Sequence, residues 1–211
     1  MKVCYLDAFS GISGDMTVAA LVDAGADVAA ILDGLSSLNT GAELSFEPVR
    51  RKGIAALKFQ VCGGEQRAHR HLPQIVKMIE ASNLPDIAKQ NAVAVFTRLG
   101  EAESKTHGVP IEKVHFHEVG AVDSICDIVG ACHALALLGV ERIVCSPLNT
   151  GSGSVNTEHG LLPVPAPATS RLLAGAPVYS RGPALELTTP TGAALVATLA
   201  QEFGSLPAMT L

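Results

Sequence analysis

The chain opens on a short apolar run that breaks into glycines and then into a helical stripe, and this order restricts its fold more than any other stretch. Residues 2–6 read as a strand, and residues 9–15, Phe-Ser-Gly-Ile-Ser-Gly-Asp, as a tight turn. A helix is predicted over residues 15–23, with Met16, Ala19, Ala20 and Val22 supplying its apolar stripe. The same alternation recurs. Helices are predicted over residues 28–35, 72–81, 86–105 and 122–138, the last closed by Gly139 at its C-cap. Residues 42–62 alternate polar and apolar positions around Arg50, Arg51, Lys52 and Gly53, the pattern of a β-hairpin. Residues 142–146 read as a buried strand, 149–154 as a flexible loop and 159–167 as rigid irregular chain. A short helix near 168–173, a strand near Val178, a turn at 188–192 and a helix to Phe203 follow. The predicted class is therefore α/β: a layered mixed sheet with flanking helices and a β-hairpin, residues 1–211 forming one α/β unit.

Composition narrows the partners. A 48% hydrophobic fraction with 17% charged residues excludes a disordered chain. The net charge of −5 gives no electrostatic support to a nucleic-acid or anionic-membrane partner. Aromatics make up 4%, with no Trp, which speaks against a base-stacking platform. No segment approaches the ~18–20 uninterrupted apolar residues of a membrane span, and the N-terminal run is charged too soon for a signal peptide. The 5 cysteines form no Cys-x-x-Cys pair and sit among apolar neighbours, which predicts reduced thiols and a cytoplasmic protein.

Chemistry concentrates in residues 115–127, where His115, His117, Glu118, Asp123 and Asp127 lie close together in a charge-poor chain. In extended backbone His115 and His117 share a face. If a helix starts near Gly120, Asp123 and Asp127 fall at i, i+4 and share another. Imidazoles facing carboxylates suit a borderline divalent metal such as Ni²⁺, Zn²⁺ or Mn²⁺. Spacing does not name the metal, and the same residues also suit a helix cap and interface hydrogen bonds.

Anion sites are the second theme. Gly11, Ser13, Gly14 and Asp15 join a strand end to a helix N-terminus, where bare amides favour a phosphate; a plain cap with a tight turn is the competing reading. Arg67 and Arg70 could clamp an anion, with His69 and His71 as metal ligands or proton carriers, or all four could belong to a solvated loop. Residues 151–154 with His159 suit a second anion pocket or a connector. Residues 186–192 start a helix with threonine hydroxyls, Thr191 among them, again as a cap or an anion site.

Several of these strings together resemble one family. Residues 9–16, 67–72 and 114–124, His159-Gly160 with residues 163–169, and residues 186–192 are similar, in order and spacing, to the LarC family of nickel insertion proteins. The resemblance implies a CTP-dependent cyclometallase of the lyase class. Such an enzyme inserts Ni²⁺ into pyridinium-3,5-bisthiocarboxylic acid mononucleotide, a phosphorylated pyridinium dithiocarboxylate, for lactate racemase maturation. It also implies a divalent cation, Mn²⁺ or Mg²⁺, beside CTP in the full-length family. Family members continue past residue 211, so the chain is expected to be an N-terminal portion, with nucleotide binding in a C-terminal partner segment. A homo-oligomer is compatible with the sequence. Two other functions fit the same residues: a nickel storage or delivery module without catalysis, and a metal-dependent phosphoester hydrolase. No positioned nucleophile or base is legible for the last.

Overall fold

The computed structural model describes residues 1–64, 70–114, 116 and 121–210. Strand β1 (Val3–Leu6) leads through the glycine turn into α1 (Gly14–Asp23), which buries Val18, Ala19, Leu21 and Val22. Helix α2 (Val28–Ser36) is capped by Asp27, whose Oδ1 accepts from the amides of Ala29 at 2.8 Å and Ala30 at 3.1 Å. The expected hairpin is β2 (Ala42–Arg51) with β3 (Ile54–Gly63), antiparallel from Ala42↔Gly63 to Arg51↔Ile54. Its loop is Lys52 at φ 49° and Gly53 at φ 88°, two successive left-handed residues whose twist matches the flanking strands. Phe46 and Phe59, with centroids 4.9 Å apart, anchor its base on the core.

Helices α3 (Leu72–Ala81) and α4 (Asp86–His107) follow, then a 3-10 turn at Ile111–Lys113. Phe116 is fully buried edge-on to Phe96, centroids 6.4 Å apart, and its N–H donates to the Arg70 carbonyl. Helix α5 (Val122–Leu137) is the most enclosed element, burying Val122, Ile125, Cys126 and every residue from Ile128 to Leu135. Gly130 lets Val18 of α1 close on it. Gly139, at φ 64°, turns the chain out of α5, and the Val140 N–H reaches back to the Leu135 carbonyl, the bond of a Schellman ending.

The remaining strands are β4 (Arg142–Cys145), β5 (Leu148–Asn149), β6 (Ser154–Thr157), β7 (Gly160–Pro163), β8 (Val178–Tyr179) and β9 (Glu202–Phe203), with α6 (Pro167–Leu172) and α7 (Pro190–Leu199) between them. Strands β1, β4 and β9 form a parallel sheet with β4 central, from Val3↔Arg142 to Cys145↔Phe203. The α/β class holds, with sheets both parallel and antiparallel.

Four local expectations need correction. Met16 and Ala20, expected in the apolar stripe of α1, are exposed, and Val18 and Leu21 are buried with Ala19 and Val22 instead. The last helix ends at Leu199 rather than running to Phe203, because residues 202–203 pair with β4 instead. The predicted loop and irregular stretch between 149 and 167 contain the antiparallel pair β6–β7. Its four-residue strands, each close to Gly or Pro, are too short to show a period. Helix α4 continues to His107 and stops at Gly108, φ 67°.

Candidate functional site

Three helices begin at one place. Gly11, at φ 83°, passes so close to the Leu187 carbonyl that a Cβ there would sit 2.0 Å from its oxygen. The Ile12 N–H donates to that carbonyl at 3.0 Å, and the Thr189 N–H donates to the Ile12 carbonyl at 3.1 Å. Gly192 lies over the same carbonyl, its absent Cβ 2.1 Å from the Ile12 oxygen. A Cβ on Gly14 would fall 2.6 Å from Asp127 Cβ and 2.8 Å from Thr191 Cγ2. Glycine at 11 and 192 thus lets the starts of α1 and α7 meet at backbone distance, and glycine at 14 lets the Asp127 side chain of α5 close on them.

The polar groups at this junction are arranged unevenly. The Ser13 hydroxyl donates to Asp15 Oδ1 at 2.5 Å, so it does not cap α1. Thr189 does cap α7, its Oγ1 accepting the Gly192 N–H at 3.2 Å. Asp123 is exposed in the first turn of α5, its Oδ1 accepting the Ser124 N–H at 2.9 Å, while the N-cap position belongs to Ala121. Asp127, one turn on, is half-buried. Burial first, then the charges of Asp15 and Asp123, push its carboxyl up to about 8, opposed by the Asp15 backbone N–H that donates to it.

Ser13, Gly14, Asp15, Asp123, Asp127, Thr189 and Thr191 line a cleft of about 360 Å³, walled on the other side by Lys58, Phe59, Gln60 and Val61 of β3. The structure therefore joins the predicted anion turn and the predicted Asp123–Asp127 pair in one cavity. Asp15, Asp123 and Asp127 give hard oxygen donors, while Lys58 and the N-terminal amides of α1 and α7 supply positive potential. Such a cleft can hold a cation and an anion side by side. Among the described residues, no three His, Cys, Asp or Glu side chains stand ready to enclose an ion.

Other predicted residues fall elsewhere. His71 precedes α3, its Nδ1 3.0 Å from the Val114 carbonyl and its N–H held by Gln74 Oε1 at 2.9 Å. A proton on Nδ1 for that carbonyl leaves the lone pair on Nε2, the nitrogen a metal would use. Neither Arg70, half-buried and paired with Phe116, nor His71 lines the cleft. His115, His117, Glu118, Arg67 and His69 lie outside the described residues. Lys58 and Gln60 carry no signal in the sequence, since the alternation in β3 shows which side faces inward, not what arrives opposite it, whereas Thr189 belongs to the threonine-bearing helix start expected as a cap or anion site. All five cysteines are free, and burial pushes Cys126, Cys132 and Cys145 up to about 12, which suits core packing rather than reactivity.

Fold and cleft together define the class: an α/β protein whose glycine-joined helix starts enclose an acidic, lysine-edged cavity. The profile of the nickel insertion protein family matches residues 4–211, and the chain belongs to that family. It is 50% identical over 208 residues to the pyridinium-3,5-bisthiocarboxylic acid mononucleotide nickel insertion protein of Desulfitobacterium hafniense strain DSM 10664 / DCB-2, covering 98% of this chain and 52% of that protein. The protein of the same name from Geobacillus kaustophilus strain HTA426 is 47% identical over 222 residues, covering 100% of this chain and 54% of its own length. The chain thus spans about half the length of the curated relatives it matches. No solved structure matches it. No described helix is long and apolar enough to cross a membrane.

Proposed function

We propose that this chain takes part in nickel insertion into a pyridinium-3,5-bisthiocarboxylic acid mononucleotide, Ni²⁺ and the mononucleotide being its substrates. The observation that carries the reading is the meeting of Asp15, Asp123 and Asp127 with Lys58 and the threonine-bearing start of α7 in one cleft. Family membership and the names of the relatives support it. In this reading Asp123 and Asp127 offer oxygen ligands to the incoming metal, and His115, His117, Glu118, His69 and His71 supply the softer nitrogen and further oxygen donors. Gly11, Ser13, Gly14, Asp15 and Thr191 shape the anion side, joined by Arg67 and Arg70. CTP, with Mg²⁺ or Mn²⁺, is the co-substrate and is handled by the part of the relatives beyond this chain. The reaction is cytoplasmic, in keeping with five unpaired cysteines.

The test is a nickel titration by calorimetry on the wild type, Asp123→Asn/Asp127→Asn and His115→Ala/His117→Ala, followed by incubation with the mononucleotide, CTP and Mg²⁺. The expected result is loss of most nickel affinity in both double variants; a mass gain of one nickel on the mononucleotide would show that the chain completes insertion without the rest of its relatives' length. Unchanged nickel affinity in both double variants would sink the assignment. Affinity without a mass gain would restrict the chain to nickel delivery.

A further inference from the structure

The turn that supplies Ser13, Gly14 and Asp15 to the acidic cleft has another side. There Phe9 and Ser10 line a separate cleft of about 390 Å³ together with Asn149, Tyr179, Arg181 and Leu187. The Phe9 ring is 67% exposed, in a protein with 6 Phe and no Trp. Exposure of this kind usually accompanies a loose loop, yet the Phe9 backbone is held from two directions. Its carbonyl accepts from Asn149 Nδ2 at 3.0 Å and from the Tyr179 hydroxyl at 3.3 Å.

Asn149 is the key to the arrangement. It is 4% exposed and its amide is fully used. Nδ2 donates to the Phe9 carbonyl and, at 2.9 Å, to the Arg181 carbonyl; Oδ1 accepts from the Gly151 N–H at 3.2 Å and the Arg181 N–H at 3.1 Å. One buried amide therefore ties the backbone of Phe9 to that of Arg181, two exposed residues that both line the cleft. A buried polar group with every bond made rigidifies what it joins. Among the described residues no acidic side chain pairs with the Arg181 guanidinium.

We propose that this second cleft receives the pyridinium ring and phosphate of the mononucleotide, ring against Phe9 and Tyr179, phosphate on Arg181. This rests on the reading that a pyridinium mononucleotide is the substrate. A pyridinium ring is planar and positively charged, so the electron-rich faces of Phe9 and Tyr179 attract it beyond simple stacking. A guanidinium grips a phosphate in a forked, charge-assisted pair. The location is apt: only the Ile12–Thr188 rung separates Phe9 and Leu187 on this side from Asp15 and Thr189 on the other. A ring held here has its substituents beside the wall of the acidic cleft.

The experiment is calorimetric titration of the chain with nicotinamide mononucleotide as the pyridinium probe, uridine monophosphate as a neutral-ring probe and inorganic phosphate. A Ni²⁺ titration runs in parallel. Arg181→Ala and Phe9→Ala are each expected to weaken the pyridinium mononucleotide about tenfold, the size of one lost charged or stacking contact. Arg181→Lys is expected to recover part of the loss, with nickel affinity unchanged throughout. Both exposed side chains can be replaced without unfolding, and a thermal melt confirms it. Wild-type affinity for nicotinamide mononucleotide in Phe9→Ala and Arg181→Ala, or no binding by the wild type, overturns the site. Equal affinity for uridine monophosphate overturns the pyridinium assignment. Loss of nickel binding alone would instead count against the nickel reading and leave this cleft standing.

Discussion

The helix-start junction and the tip of the β2–β3 hairpin both depend on glycine, for opposite reasons. At the junction, Gly11, Gly14 and Gly192 stand where a Cβ would meet backbone or side chain at 2.0–2.6 Å. At the tip, Gly53 has nothing within 4 Å and is needed only for its φ of 88°. One region gives up side chains to bring three helices into contact; the other gives one up to turn a corner in open water. Sequence alone makes the two look alike. The difference locates the candidate site, because close backbone approach around polar groups forms a cleft and a turn in solvent does not.

The comparison breaks most easily at Gly192. Gly192→Ala forces a methyl group into the Ile12 carbonyl, a backbone atom with little room to move, and is expected to cost roughly 3 kcal/mol or more in urea unfolding. Gly53→Ala meets only the left-handed backbone penalty, roughly 1 kcal/mol. Equal costs for the two would mean the junction is loose.

Asp127 gives the next largest effect. Its folded carboxyl, at about 8, is raised above its ordinary value of 3.8, so folding favours the protonated form. The stability this contributes is complete below the unfolded value and is lost as pH rises toward about 8. Asp127→Asn keeps the shape without the charge. Its stability advantage over the wild type is expected to grow from pH 4 to pH 8 and then level, reaching roughly 1–3 kcal/mol by thermal or urea unfolding. A flat difference across that range would show that Asp127 is well solvated.

Smaller effects should follow burial within the hairpin itself. Phe59→Leu removes the ring packed on Phe46 at 4.9 Å and is expected to cost roughly 1–1.5 kcal/mol. Ile54→Thr, at a position 74% exposed beside the turn, is expected to stay within about 0.5 kcal/mol. A reversed order of these two would mean that the hairpin tip is covered.

Local physics made much of this legible. Apolar periodicity located α1, α2, α3 and α5, and Arg50 to Gly53 marked the hairpin turn. Gly139 did end a helix in the left-handed region. What stayed hidden depends on distant partners. Nothing local tells that residues 202–203 will pair with Val144 and Cys145 rather than extend α7. The meeting of Gly14 with both Asp127 and Thr191 joins three segments far apart in sequence. The Asp123–Asp127 pair was readable from i, i+4 spacing, whereas Lys58 looked like any solvated lysine on an alternating strand. Asn149 lay in a stretch expected to be a flexible loop, and its role depends on carbonyls at positions 9 and 181.

Enclosure of α5 by α1, α2, α4 and α7 sets a clock for the whole molecule. Amides buried on every side exchange with solvent only when the protein opens as a unit. The amides of Ile128 to Leu135 are accordingly expected to be the last to take up deuterium. Asp127 immediately precedes that slow segment, so metal binding at its carboxylate would register as slower exchange along α5, readable by mass spectrometry without any assay of turnover.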